Sequence, residues 1–124
     1  MSAEEWSPRD LPAVCYIRVA PTTTDEAARR VERQRAQITL AAQRLGLRMA
    51  DDFVDVGYSG MSMDRPDLRC LLVHVATHQV GFCVVATRDR LSEDPDHMAD
   101  IDEGLDNALV ATVVAADHIG PAAN

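Results

Sequence analysis

A chain of 124 residues, 47% of them apolar, can close one hydrophobic core and is too short to be divided among several. Its 12 basic residues, all arginine, face 20 acidic ones, a net charge of −8 that argues against general attraction to a phosphate backbone while leaving room for a local anion pocket. No apolar run reaches membrane-spanning length, and the start Met-Ser-Ala-Glu-Glu lacks the basic and apolar regions of a secretory signal, so a cytoplasmic location is expected.

Residues 1–12 are polar, with Pro8 and Pro12, and read as a flexible lead-in from which Trp6 is placed to dock on the surface. Ala13–Ala20 follows, rich in β-branched Val14, Ile17 and Val19 and fenced by Pro12 and Pro21, which predicts a buried central strand. Arg18 sits inside it. A buried guanidinium needs an anionic partner, so Arg18 marks either a structural ion pair or an anion site at the C-terminal end of the strand. Thr24 or Asp25 is placed to cap a helix over residues 26–45. Val31, Ile38 and Leu45, extended by Ala27, Gln34, Ala41 and Ala42, form its core stripe, and Gly46 suits its C-terminal end. Arg29, Arg30, Arg33, Arg35 and Arg44 lie on the opposite face, read as solvated or as a contact surface for nucleic acid or for the acidic half of a second copy.

A second strand is predicted over Met49–Asp55, then a polar loop, Gly57-Tyr58-Ser59-Gly60. A helix follows with Pro66 in its first turn and Leu68, Leu71, Leu72 and Val75 facing the core. Gly81–Ala86 reads as a third buried strand, with Thr87–Glu93 as its polar exit. Pro95 opens an acidic helical segment over Asp96–Asp106, Leu109–Ala116 is a fourth strand, and the tail breaks at Gly120-Pro121. This alternation predicts an α/β fold, a three-layer sandwich with a mainly parallel sheet of about four strands. One domain over residues 13–117 is expected, with a tail at 118–124. Cys15, Cys70 and Cys83 each lie in an apolar run without C-x-x-C spacing and are expected to be buried free thiols in a reducing compartment. His74, His78, His97 and His118 are read as ordinary helix and loop residues, and no metal or other cofactor is expected.

Loops after parallel strands converge on one edge of a sheet. That edge would gather Arg18, Asp55, Ser59, Arg65, Asp89, Arg90 and Ser92. Converging guanidiniums suit a phosphate, since each can give two parallel hydrogen bonds, and Asp89 can orient one of them. Surface ion pairing is the competing reading.

Tyr16-Ile17-Arg18-Val19, then Gln34, then Asp55-Val56-Gly57-Tyr58-Ser59-Gly60 with Asp64-Arg65-Pro66 and Leu68, then Asp89-Arg90-Leu91-Ser92, form an ordered set between residues 13 and 116. This set resembles the catalytic domain of the serine recombinases, the resolvase/invertase family. The resemblance implies a resolvase-like fold and an enzyme of DNA recombination that cuts a phosphodiester without metal, through a serine at the end of the first strand. It implies phosphate contacts for Arg18, Arg65 and Arg90, an active-site role for Gln34 and a supporting carboxylate in Asp89. Ser59, in the matching loop, joins the same phosphate-binding set, vestigial or retained.

Two positions depart from that pattern. Ala20 stands where the family's nucleophilic serine belongs, and Glu93 where its next arginine belongs. A methyl group cannot attack phosphorus. Glu93, three residues beyond Arg90, is expected to compete for that arginine. The chain also stops soon after its fourth strand, without the long helix and DNA-binding part that family members carry. The expectation is a degenerate, non-cleaving module that binds a second copy of itself, another recombinase or an unrelated protein, with weak or no DNA binding of its own. Two alternatives remain. One is an active strand transferase using Thr22, Thr23, Thr24 or Ser59, or working with a separate DNA-binding subunit. The other is a small phosphate- or nucleotide-binding module.

Overall fold

β1 (Ala13–Val19) is the axis of the sheet, buried along its whole length. It pairs in parallel with β2 (Met49–Val56) on one side and β3 (Phe82–Val85) on the other, and β4 (Ala111–Val114) adds to β3, giving the order β2-β1-β3-β4. The computed structural model describes residues 10–119, so the expectations for Trp6 and for the Gly120-Pro121 break lie outside the described residues. Every pairing is parallel, as the alternation of elements requires once each crossover carries a helix.

Alternation along β1 divides the core. Val14 and Tyr16 point to the face covered by α2 (Pro66–Thr77) and α3 (Pro95–Asn107), where they meet Leu68, Leu71, Val75, Ile101 and Leu105. Ala13, Cys15 and Ile17 point to the face covered by α1 (Thr24–Leu45), against Ile38 and Ala41, with Ile119 of the short α4 (Ala116–Ile119) packed beside them. The result is the three-layer α/β sandwich expected.

Several local expectations shift. Thr23, not Thr24 or Asp25, caps α1, its Oγ1 accepting from the Glu26 N–H at 3.2 Å, so the helix starts earlier. Gly46 closes α1 in the left-handed region at φ 70°, a conformation glycine adopts without steric cost. Val31 and Leu45 are only half-buried, and the buried stripe is Ala27, Gln34, Ile38, Ala41 and Ala42. The fourth strand is four residues rather than eight: Leu109 turns at φ 60°, 87% exposed, and Ala116 already starts α4. Cys15 and Cys83 are buried, but Cys70 is exposed, because it lies off the Leu68–Leu71–Val75 stripe of α2.

Candidate functional site

The turn after β3 and the loop after β2 close over the C-terminal end of β1. Arg18, the second-last residue of β1 and 1% exposed, sends its guanidinium between them. Its Nε donates to the Arg90 carbonyl at 3.1 Å, Nη1 to the Tyr58 carbonyl at 3.2 Å, and Nη2 to the Asp89 carbonyl at 2.9 Å. Nη2 also meets Glu93 Oε2 at 2.9 Å. Glu93 therefore pairs with Arg18 rather than with Arg90, its helical-turn neighbour. Of the two readings open for Arg18, the structural ion pair is the one realised in this arrangement.

Gly60 makes that pairing possible. A Cβ built on it would lie 2.6 Å from both Arg18 Nη2 and Glu93 Oε2, so no other residue fits without displacing the pair. Its carbonyl accepts from the Glu93 N–H at 2.9 Å and from Ser92 Oγ at 3.2 Å, which zips the two loops together. The sequence places Gly60 in a polar loop; its closeness to two segments remote in the chain has no local signature.

Arg65 is fully buried and is a second strut. It donates to the carbonyls of Ser62 (2.8 Å), Arg90 (3.2 Å) and Leu91, and its guanidinium carbon lies 5.9 Å from the centre of the Tyr16 ring. Tyr16 donates to Asp55 Oδ2 at 2.7 Å, and Asp55 also accepts the N–H groups of Asp67 and Leu68 at 2.9 Å each, so a buried carboxylate caps α2. Burial first, and then its hydrogen bond to Asp55, pushes the Tyr16 hydroxyl well above the usual phenol range.

Arg18, Arg65 and Arg90 are thus neighbours, as convergence predicted, but they face differently. Arg90 is the partly exposed one. Its Nη1 donates to the Arg18 carbonyl at 3.2 Å and its Nε lies 3.5 Å from Asp89 Oδ1, so Asp89 does sit against an arginine. Asp89 also accepts from the Thr87 hydroxyl. Gln34 reaches the same edge from α1: Nε2 donates to the Arg18 carbonyl at 2.8 Å, and Oε1 is buried without a partner among the described residues. Ser59 is exposed and its Oγ accepts from the Met61 N–H at 3.0 Å, turned to its own loop.

Ala20 follows directly on β1 and is half-buried. The hydroxyls and thiol nearest in sequence are those of Thr22, Thr23, Thr24 and Cys15. Thr23 caps α1, Thr22 and Thr24 are exposed, and burial raises the Cys15 thiol to about 11. The histidines hold one feature local reasoning missed: His74 and His78, one helical turn apart, stack with ring centres 4.2 Å apart. Among the described residues no cluster of His, Cys, Asp and Glu is arranged to hold a metal ion, and no helix is long and apolar enough to cross a membrane.

No curated protein matches the chain significantly. Solved structures of similar fold include the C-terminal catalytic domain of ISC1926 TnpA, an IS607-like serine recombinase, at 25% identity and TM-score 0.74, covering 86% of this chain and 68% of that one. The C-terminal catalytic domain of IS1535 TnpA, another IS607-like serine recombinase, is similar at 29% identity and TM-score 0.64, covering 82% and 69%. A resolvase family site-specific recombinase from Streptococcus pneumoniae shares the fold at 17% identity and TM-score 0.73, covering 92% and 78%. The family described as "Resolvase, N terminal domain" matches residues 13–123. The chain belongs to the resolvase N-terminal domain family, a serine recombinase domain related to DNA recombination.

Proposed function

We propose that this resolvase-type domain does not cleave DNA and acts by binding, through a site whose catalytic chemistry is gone. The observation that carries the reading is at the tip of β1. The side chain there is the methyl of Ala20, and the guanidinium of Arg18, two residues earlier in the chain, is held by Glu93 at 2.9 Å. Covalent strand transfer needs an activated oxygen or sulfur nucleophile. An anion already bonded to Arg18 competes with a phosphate for the same N–H groups. Arg18, Gln34, Ser59, Arg65, Asp89 and Arg90 are, in this reading, the remnant of a phosphate site, in which Arg18 and Arg65 now serve as struts. The net charge of −8 further opposes tight DNA binding by the chain alone, so its partner is taken to be a protein, either a second copy or another recombinase.

The test is incubation with supercoiled plasmid followed by a denaturing gel. The wild-type chain is expected to form no covalent protein–DNA adduct and to leave no nicks. An adduct, or nicking lost on changing Thr22 and Thr23 to Ala, would establish a substitute nucleophile and refute the proposal. In the double variant Ala20→Ser, Glu93→Arg, a gained adduct would locate the loss at those two positions.

A further inference from the structure

The sheet ends on β2 at one side and on β4 at the other, and the two edges are finished differently. β2 exposes Asp51 and Asp52, and its Val54 N–H is taken by the Asp67 carboxylate at 2.8 Å. Charges and covered amides keep an edge from pairing with another chain. β4 has neither: Ala111–Val114 lies in the stretch 107–116, which contains no charged residue and no proline. We propose that β4 is the surface that binds a second copy of this chain, by antiparallel pairing of the two β4 edges about a two-fold axis.

The backbone of β4 is set for this. The Ala111 N–H donates to the Gly81 carbonyl at 3.0 Å and the Ala115 N–H to the Val85 carbonyl at 2.7 Å, so these residues turn their peptide groups toward β3. Alternation turns the N–H and C=O groups of Thr112 and Val114 the other way. Both residues are half-buried, and their outward groups have no hydrogen-bond partner among the described residues. With Val113 on the two-fold axis, Thr112 of each copy faces Val114 of the other, and each such pair exchanges both of its N–H···O=C bonds. The facing side chains are β-branched, a favourable cross-strand pair.

A second copy is the occupant these features select. The edge is free of charge, so it meets its own image without opposing like charges within the strand. Pairing of β4 with β2 of a further copy would bring it against Asp51, Asp52 and the Asp67 cap, so the contact closes as a dimer instead of extending as an open chain. Leu109, 87% exposed and at φ 60°, precedes the strand. A leucine in that backbone region is uncommon, and the antiparallel register carries it to the start of α4 in the other copy, where Ala116 is exposed. One term opposes the contact. Ile101 and Leu105 of α3 share a core with Val110 and Val114, so pairing brings two acidic α3 helices onto the same face of the joined sheet. Salt screens that repulsion, and the dimer tightens as ionic strength rises.

This proposal rests on the reading that the domain acts by binding a protein. Sedimentation equilibrium of the full chain between about 5 and 500 µM is expected to show a monomer–dimer equilibrium with Kd on the order of 10–100 µM, as suits so short an edge. Raising NaCl from about 0.1 to 1 M is expected to lower that Kd. In the dilute chain the Thr112 and Val114 amides exchange fast; on concentration they become protected while the outward amides of β2 do not. Thr112→Pro removes an outward N–H without a ladder bond to β3, and Leu109→Asp places a like charge near Asp117 of the other copy in a backbone that Asp tolerates. Each is expected to raise Kd about tenfold or more. Val73→Asp, at a 59% exposed site on the outer face of α2, is expected to leave it unchanged. A monomer at every concentration, protection of Thr112 and Val114 in the dilute monomer, species that grow beyond the dimer, association that weakens with salt, or a dimer broken by Val73→Asp and not by Leu109→Asp would each overturn the assignment. The plasmid assay reads cleavage separately, so an adduct there would remove the non-cleaving reading and leave the sedimentation result standing.

Discussion

Asp55 shows how much one buried residue organises. Its carboxylate takes a hydroxyl from β1 and two backbone N–H groups from the first turn of α2, fixing the angle at which that helix leaves the β2 loop. Asp55→Ala is expected to lower stability by roughly 2–4 kcal/mol in urea unfolding, and Tyr16→Phe by about 1 kcal/mol, because the latter removes one of three donors. Equal costs would mean that the carboxylate does not cap the helix. The thiols give a second test. Burial raises Cys83 to about 12, and burial with Asp52 nearby raises Cys15 to about 11, whereas Cys70 is exposed. Both buried thiols are raised above their unfolded value of 9.0, so their contribution is full below pH 9 and is lost as pH climbs through the folded values. Stability should therefore fall from pH 9 up to about 12, and one thiol, Cys70, should react with a thiol reagent in the native protein at about pH 8. A flat stability profile in that window, or three equally fast thiols, would contradict the burial.

At the scale of elements, the informative contact joins the loop after β2 to the turn after β3. A methyl at Gly60 would collide with Arg18 and with two atoms of Glu93. Gly60→Ala is expected to cost roughly 1–3 kcal/mol. Glu93→Ala removes two of those three obstacles, so the double variant should cost less than the sum of the singles by at least about 0.5 kcal/mol in urea melts. Strict additivity would show that the two loops are not latched through this pair. Little of this was visible from local pattern. Periodicity located α1 and α2 well, because a core stripe repeats within one element. Three-residue spacing points Glu93 to Arg90. The fold gives it to Arg18, since the turn Arg88–Arg90 directs Arg90 toward Gln34 and brings Glu93 beneath Gly60.

For the whole molecule, sheet order decides where protection lies. β1 is hydrogen-bonded on both sides and covered on both faces, whereas β2 and β4 are edges. Amide hydrogen exchange is expected to be slowest in β1 and β3 and faster by orders of magnitude at the outer edges of β2 and β4. Equal protection in β4 and β1 would mean that the β4 edge is covered by another chain in solution. The charge distribution has the same two-sidedness: arginines line the outer face of α1 on one side of the sheet, and carboxylates line α3 on the other. Exposed pairs such as Arg29 and Arg30 with Glu26 contribute little stability but keep the first turn of α1 partly neutral.

The amino-acid sequence alone determined the alternation of strands and helices, the parallel three-layer sheet and the family resemblance, and it marked Ala20 and Glu93 as expected departures from the family's pattern. These rest on periodicity, on short motifs and on residue identity, all of which are local. Only the tertiary structure decided what the charges and buried polar groups do: that Arg18 and Arg65 are spent on carbonyls and one carboxylate, that Asp55 caps α2, and that Gln34 donates to the Arg18 carbonyl while its Oε1 stays buried without a partner among the described residues. The physical reason is that a buried charge takes the partners the fold brings within about 3 Å, and those partners lie tens of residues away along the chain.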